Sequence, residues 1–353
     1  MQQDFNQNPQ NLNTFAITDK NQGIRADIFL SKTLNLSRSK VQNLISKQAI
    51  LLNSKPLKKY GTILNANDTL KLISQAKAKQ DSNSQHLQDL NIPIIYEDSD
   101  LLILNKPANL IVHRIDENDT QFTLVDYLKQ KGFALSNLGD SYRLGIVHRL
   151  DKNTSGAIVI AKNNATHAHL SMQIKSKQMG RYYLCIINQP LKNPQTVEIP
   201  IMRHPKQRLK YITTTNNVNA KTAKTAFFMI PTLLDSNFLK TENPKKEIPT
   251  LIGAKLFTGR THQIRVHLNS INRHILGDGF YGYKGNYTGR ILLHAHFLHL
   301  IHPKTQKLLE FHAPIPDDMQ NFIKTHFNLP IHQNAEFFKI PLPYIYKQQF
   351  HTI

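Results

Sequence analysis

The sequence predicts an α+β protein on a largely antiparallel sheet, preceded by a small basic α/β unit. Three observations carry this expectation. Apolar runs are short, recur along most of the 353 residues, and are separated by Gly, Pro, Asn, Asp and Ser. Segments of helical period are few beside them. Near the N-terminus the charge is one-sided: residues 23–75 hold nine Lys/Arg against two Asp. A chain of this length suits roughly two domains.

Residues 1–22 are polar and read as a disordered tail. In the unit spanning 23–75, Ala26, Phe29, Leu30 and Leu34 recur at helical spacing. Ser37 then stands as a cap for a second helix with Val41, Leu44 and Ile45 as its apolar stripe. Strand-like pieces at 49–52 and 70–73 follow, with turns at 53–56 and 65–68. Residues 76–91 read as a linker and 92–330 as the main domain. The remainder, 331–353, reads as a C-terminal tail. Within the main domain, Ile92–Asp98 and Leu101–Leu104 form strand, turn, strand, and Leu124–Leu128 begins a helix. Asn164–Lys177 is helical with Gly180 as its stop, and Arg181–Ile187 and Leu251–Phe257 are strands. Residues 233–247 have the composition of a surface insertion.

Lys and Arg number 44 against 24 Asp and Glu, a formal net charge of +20, which favours a polyanionic partner. No apolar run approaches the ~20 residues of a membrane span, and the Gln/Asn-rich start has no signal-peptide core. A single cysteine, Cys185, lies in an apolar run as a buried thiol. A cytoplasmic protein is expected.

The stretch Gly145–Gly156 ends an apolar rise in His148-Arg149-Leu150-Asp151 and turns through Thr154-Ser155-Gly156 into Ala157–Ala161. Asp151 is the candidate reactive carboxylate there. Arg265, in a second Arg/His-dense segment, is the cation that fixes its direction. Tyr182 and Tyr183 are adjacent on a strand and so face opposite sides, one for the core and one for a cleft. His294, His296, His299 and His302 invite a metal reading, but no cysteine pair or nearby carboxylate completes a site. Histidines at an RNA-facing strand edge are expected instead. The string Gly277-x-Gly279-x-x-Gly282 fits a dinucleotide fingerprint by letter only, because residues 283–289 would make a poor helix.

Arg25-x-Asp27, Ser37-Arg38-Ser39 and Asn67-Asp68-x-Leu70 resemble the S4 RNA-binding domain. His148-Arg149-Leu150-Asp151-x-x-Thr154-Ser155-Gly156 resembles the pseudouridine synthases of the RluA family. Asn105-Lys106-Pro107, Arg181-x-Tyr183, Thr258–His267, Gly277-Asp278 and Leu293-His294-Ala295 fall in the family's order. Pro200-Ile201-x-Arg203-His204-Pro205 is most similar to the RluD type, which modifies large-subunit rRNA. Asn109 departs from the family at a position where Gly is frequent.

The resemblance implies the pseudouridine synthase fold, a mixed, mainly antiparallel sheet with a central RNA-binding cleft, and an isomerase that turns uridine into pseudouridine in RNA, most specifically 23S rRNA. It implies Asp151 as the catalytic aspartate, Tyr183 as the ring that stacks on the base, and Arg265 as the aspartate's partner. Arg149 would fill the gap left by the flipped nucleotide. His148, Arg260, Arg25, Arg38, Lys40 and Lys47 are further expected RNA contacts. No cofactor, no metal, no membrane and no obligate protein partner are expected, and the protein should be a monomer. A tRNA substrate, or a non-catalytic rRNA-binding or ribosome-assembly role on the same scaffold, are the alternatives.

Overall fold

The computed structural model describes residues 14–34, 38–46, 48–72, 90–116, 119–231, 233–234, 247–328 and 340–350. The chain divides into two compact units, Met1–Gln85 and His86–Ile353.

The first unit pairs β1 (Thr14–Ala16), β2 (Ile50–Leu52), β3 (Lys55–Pro56) and β4 (Thr69–Leu72) in the antiparallel order β1-β4-β2-β3. Helices α1 (Ala26–Thr33) and α2 (Arg38–Ser46) supply Phe29, Leu30, Val41 and Ile45 to a core shared with Ile50, Leu64 and Leu70. Asn53 and Ser54 have φ of 48° and 67°, the two left-handed residues that a two-residue hairpin loop demands. One expectation is corrected here. Residues 14–22 are not tail: Thr14–Ala16 pairs with Thr69–Lys71 and Ile17 is buried, because an apolar Phe15-Ala16-Ile17 can close the sheet edge. Ser37, Lys47 and the linker up to residue 89 lie outside the described residues.

In the second unit the first strands are β5 (Ile94–Glu97), β6 (Leu101–Lys106), β7 (Ser155–Ala161) and β8 (Gly180–Ile187). Next come β9 (Gln195–Val197), β10 (Ile201–Arg203), β11 (Tyr211–Thr213), β12 (Thr225–Met229) and β13 (Leu233–Leu234). Last are β14 (Thr250–Leu256), β15 (Leu293–Ile301), β16 (Leu308–His312) and β17 (Phe327–Asn328). The helices are α3 (Leu124–Gln130), α4 (Asn164–Lys175), α5 (Gln263–Ser270), α6 (Asp317–His326) and α7 (Leu342–Phe350). The main sheet has the order β5-β6-β7-β15-β8-β14-β12-β9, with β16 pairing the far half of β15. Its pairs are antiparallel except β7 with β15, so the expected mixed, mainly antiparallel sheet is what forms.

Every residue of β7 and β8 is buried, which explains their unbroken apolar runs: both faces of the sheet are covered. Helix α3 starts on a capping box, with Thr123 accepting from the Asp126 N–H and Asp126 from the Thr123 N–H. Lys177, at φ 62°, makes the turn after α4, and Gly180 is not its stop but the first residue of β8. The C-terminal stretch is not all tail either. Tyr346 of α7 packs edge-on against Tyr182 and Phe228, apolar surface that the sheet would otherwise expose. In the 233–247 segment, Leu233–Leu234 pairs with Phe327–Asn328 and the Tyr283 hydroxyl donates to Glu247.

Gly156 shows how tightly β7 and β15 are joined. Its φ is +118°, and a Cβ there would lie 2.3 Å from the Ala295 carbonyl oxygen. Gly156→Ala should therefore cost about 3 kcal/mol or more, read as a lowered urea midpoint of the second unit. An unchanged midpoint would mean the two strands can separate freely there.

Candidate active site

The cleft lies over the junction of β7, β15 and β8. It has a volume of about 320 Å³, and Asp151, Tyr183, Arg265, Arg149, Arg260 and Leu293 are among its lining residues. β15 separates β7 from β8. Two strand spacings, roughly 10 Å, therefore set apart the loop that leads into β7 and the strand that carries Tyr183.

The Asp151 loop is fastened at both ends. Upstream, Ile146 bridges to Ile160 and the Ala161 N–H donates to the Gly145 carbonyl. Downstream, the Thr154 N–H donates to the Asp151 carbonyl. Between them the side chains alternate: His148 and Leu150 are buried, Arg149 is exposed, and Asp151 is partly open to the cleft. His148, expected among the RNA contacts, lines the cleft, and its Nδ1 has no hydrogen-bond partner. Its Nε2 accepts the Val159 N–H at 3.1 Å, so the ring pins the loop to β7. Burial lowers its pKa to about 3, so the ring is neutral.

Arg265 projects from α5 and comes within 3.6 Å of the Asp151 carboxylate through Nη1. The sequence paired these two residues, but it missed the group that holds the arginine. Asp278, 1 % exposed, accepts from Arg265 Nε at 2.7 Å and from Nη2 at 2.8 Å. Burial opposes the Arg265 charge, yet the hydrogen bonds and charge of Asp278, with Asp151 adding to them, leave its pKa raised. Asp278 sits in the glycine string and caps the 3₁₀ turn Gly279–Tyr281, so that string is a carboxylate mount and not a nucleotide loop. Asp278→Ala should leave a buried guanidinium half paired and cost about 3–5 kcal/mol in denaturant melts. A variant as stable as wild type would show that Asp151 alone suffices.

Two other groups that feel the Asp151 charge escaped the sequence reading. His262 is in the left-handed region at φ 57°, ahead of α5, with Nε2 4.0 Å from Asp151 and Nδ1 2.9 Å from the Tyr281 hydroxyl. Burial lowers its pKa, although Asp151 pulls the other way. Lys106 is fully buried and donates to the carbonyls of Pro107, Leu110 and Lys152 at 2.7, 2.8 and 3.4 Å. Burial pushes it down to about 7, with the Asp151 charge opposing. Asn109 holds φ 65°, a conformation Asn tolerates, so the loop after Lys106 keeps its shape without Gly.

Tyr182 and Tyr183 divide as expected: Tyr182 joins the core with Phe228 and Tyr346, while Tyr183 shares the other face with Leu150 and Ile264. The histidine run is not at an edge. His294 and His296 lie inside the sheet, fully buried, and both approach the Ala313 carbonyl, at 3.2 and 3.1 Å. His302 does meet a carboxylate, Asp98 at 2.8 Å with Asp100 close by, which the sequence did not place there. The Asp98 oxygens also accept from Tyr96 and from the backbone of Asp100 and Leu101, so the group is occupied structurally.

In the first unit, Arg25 and Arg38 converge on Asp27, which is fully buried and also accepts from Gln42. Both arginines stay about half exposed while making those pairs. Lys40 lies on α2, but its side chain is outside the described residues.

A family model described as RNA pseudouridylate synthase matches residues 100–270, and an S4 domain matches 24–70. An uncharacterized RNA pseudouridine synthase of Helicobacter pylori is 43% identical over 89% of this chain and 92% of its own. The chain belongs to the RNA pseudouridine synthases. This synthase is also 33% identical, over 91% of its length and 90% of the relative's, to the ribosomal large subunit pseudouridine synthase D of Nitrosomonas europaea. Human RNA pseudouridylate synthase domain containing 1 shares the fold at TM-score 0.53 and 22% identity, covering 72% of the synthase and 95% of the human chain. Among the described residues no helix is long and apolar enough to cross a membrane.

Proposed function

We propose that this synthase isomerises uridine in 23S rRNA, and that Asp151 is its catalytic aspartate. Tyr183 carries the base and Arg265 orients the carboxylate. The observation that carries the reading is the position of Asp151: in a cleft with Tyr183, 3.6 Å from an arginine that a second carboxylate already holds. A target uridine must leave its stack to reach this depth, at a cost of a few kcal/mol that is least in a loop. Arg149, exposed at the cleft, is the side chain that fills the vacated place.

The reaction breaks N1–C1′, turns the base and forms C5–C1′, with no change in oxidation state. A carboxylate fixed by Arg265 acts on the nucleotide while Tyr183 keeps the detached uracil from diffusing away. Arg260, with Arg25 and Arg38 of the S4 unit, contributes phosphate contacts that set affinity without choosing sequence. The ribosomal target rests on the likeness to the large-subunit enzyme and on the net charge of +20. With that target the protein works in the cytoplasm, as a monomer. Deleting the gene should remove pseudouridine from particular 23S positions and leave tRNA unchanged. Loss confined to tRNA would sink the ribosomal assignment.

A further inference from the structure

We propose that Arg181 is a further catalytic residue: its guanidinium binds an oxygen of the detached uracil and stabilises the negative charge there. The proposal deepens the reading above and rests on the cleft being the uridine site. Arg181 is two residues before Tyr183 on β8, on the same face of the sheet, and both line the cleft. It is only 6 % exposed, and its Nε has no hydrogen-bond partner. Among the described residues no carboxylate pairs with it, whereas Arg265 beside it has two. A buried, unpaired guanidinium is costly, and burial does depress its pKa, opposed only by Tyr183. The fold nevertheless leaves room for it. A Cβ on Gly259 would lie 2.8 Å from Arg181 Nη1.

The missing partner is negative charge brought or developed by the substrate. A backbone phosphate is the poorer candidate. Phosphates stay at the rim, where Arg143 and Arg149 are exposed, while Arg181 sits at the depth reached by an inserted base. When N1–C1′ breaks, its electron pair stays with the uracil and spreads over N1, O2 and O4. A guanidinium already in place there lowers the barrier without reorganising water. Forming C5–C1′ returns a pair to C1′, the C5 proton leaves and N1 gains one, so the product is an isomer of the substrate.

The test uses the full chain and an RNA pool from cells lacking the gene. Arg181→Gln should slow single-turnover pseudouridine formation by about 10²–10³-fold, as loss of one oxyanion donor does, with RNA affinity nearly unchanged. Arg181→Lys should recover part of the rate, and millimolar guanidinium chloride should partly rescue Arg181→Ala, an effect a merely structural role would not show. Weakened RNA binding with a normal saturated rate would overturn the proposal in favour of a phosphate contact. So would Lys and Ala variants that fold but respond to neither restoration. Asp151→Asn serves as the reference: if it stays active, the assignment of the cleft fails, whatever Arg181 does.

Discussion

Asp151→Asn should lower single-turnover pseudouridine formation on the order of 10⁴-fold, the scale seen when one member of a catalytic set is removed. RNA affinity should not fall. The substitution takes one negative charge out of a cleft lined by Arg149, Arg260 and Arg265, which if anything favours a polyanion. Nor should the site collapse, because Arg265 keeps its two hydrogen bonds to Asp278. The measurements are the rate with saturating enzyme and the salt dependence of binding. A mutant that modifies RNA at the normal rate would remove Asp151 from the chemistry.

Acid should destabilise the catalytic unit well before its carboxylates are protonated. Burial lowers the pKa of His148 to about 3 and of His294 to about 4, and holds His296 well below its ordinary 6.5. Each ring folds neutral, so below pH 6.5 the unfolded chain binds protons that the folded one refuses. The loss starts near the unfolded value and continues down toward the folded one. At pH 5 each such ring costs about 2 kcal/mol. Urea midpoints at neutral pH and at pH 5 would show it, and His294→Gln should flatten the slope. Equal stability at both would mean that these rings are accessible to protons.

What could be read in advance was whatever is local or periodic. Adjacent tyrosines on a strand must part, and Tyr182 and Tyr183 do. Asp151 announced itself through its crowded neighbours, and Arg265 through a second such cluster. What a linear reading could not supply was the second partner of a contact. Asp278 looks like any acid between glycines until α5 brings Arg265 to it. Nothing in the sequence says that His148 will take the Val159 N–H. His294 and His296 have the alternation of an edge strand, and only the pairing of β15 on both sides shows that they are interior. Gly180 carries the letter of a helix stop, yet the left-handed turn falls on Lys177.

β15 gives the fold a timetable. It is the strand between β7 and β8, but it is made more than a hundred residues after either of them. A growing chain can complete its S4 unit and both halves of the cleft wall while the piece that joins them is still unmade. Docking it late is a non-local step of the kind that slows folding. Until then the Asp151 loop and Tyr183 have no fixed separation, so a nascent synthase emerging beside rRNA can hold RNA before it can modify it.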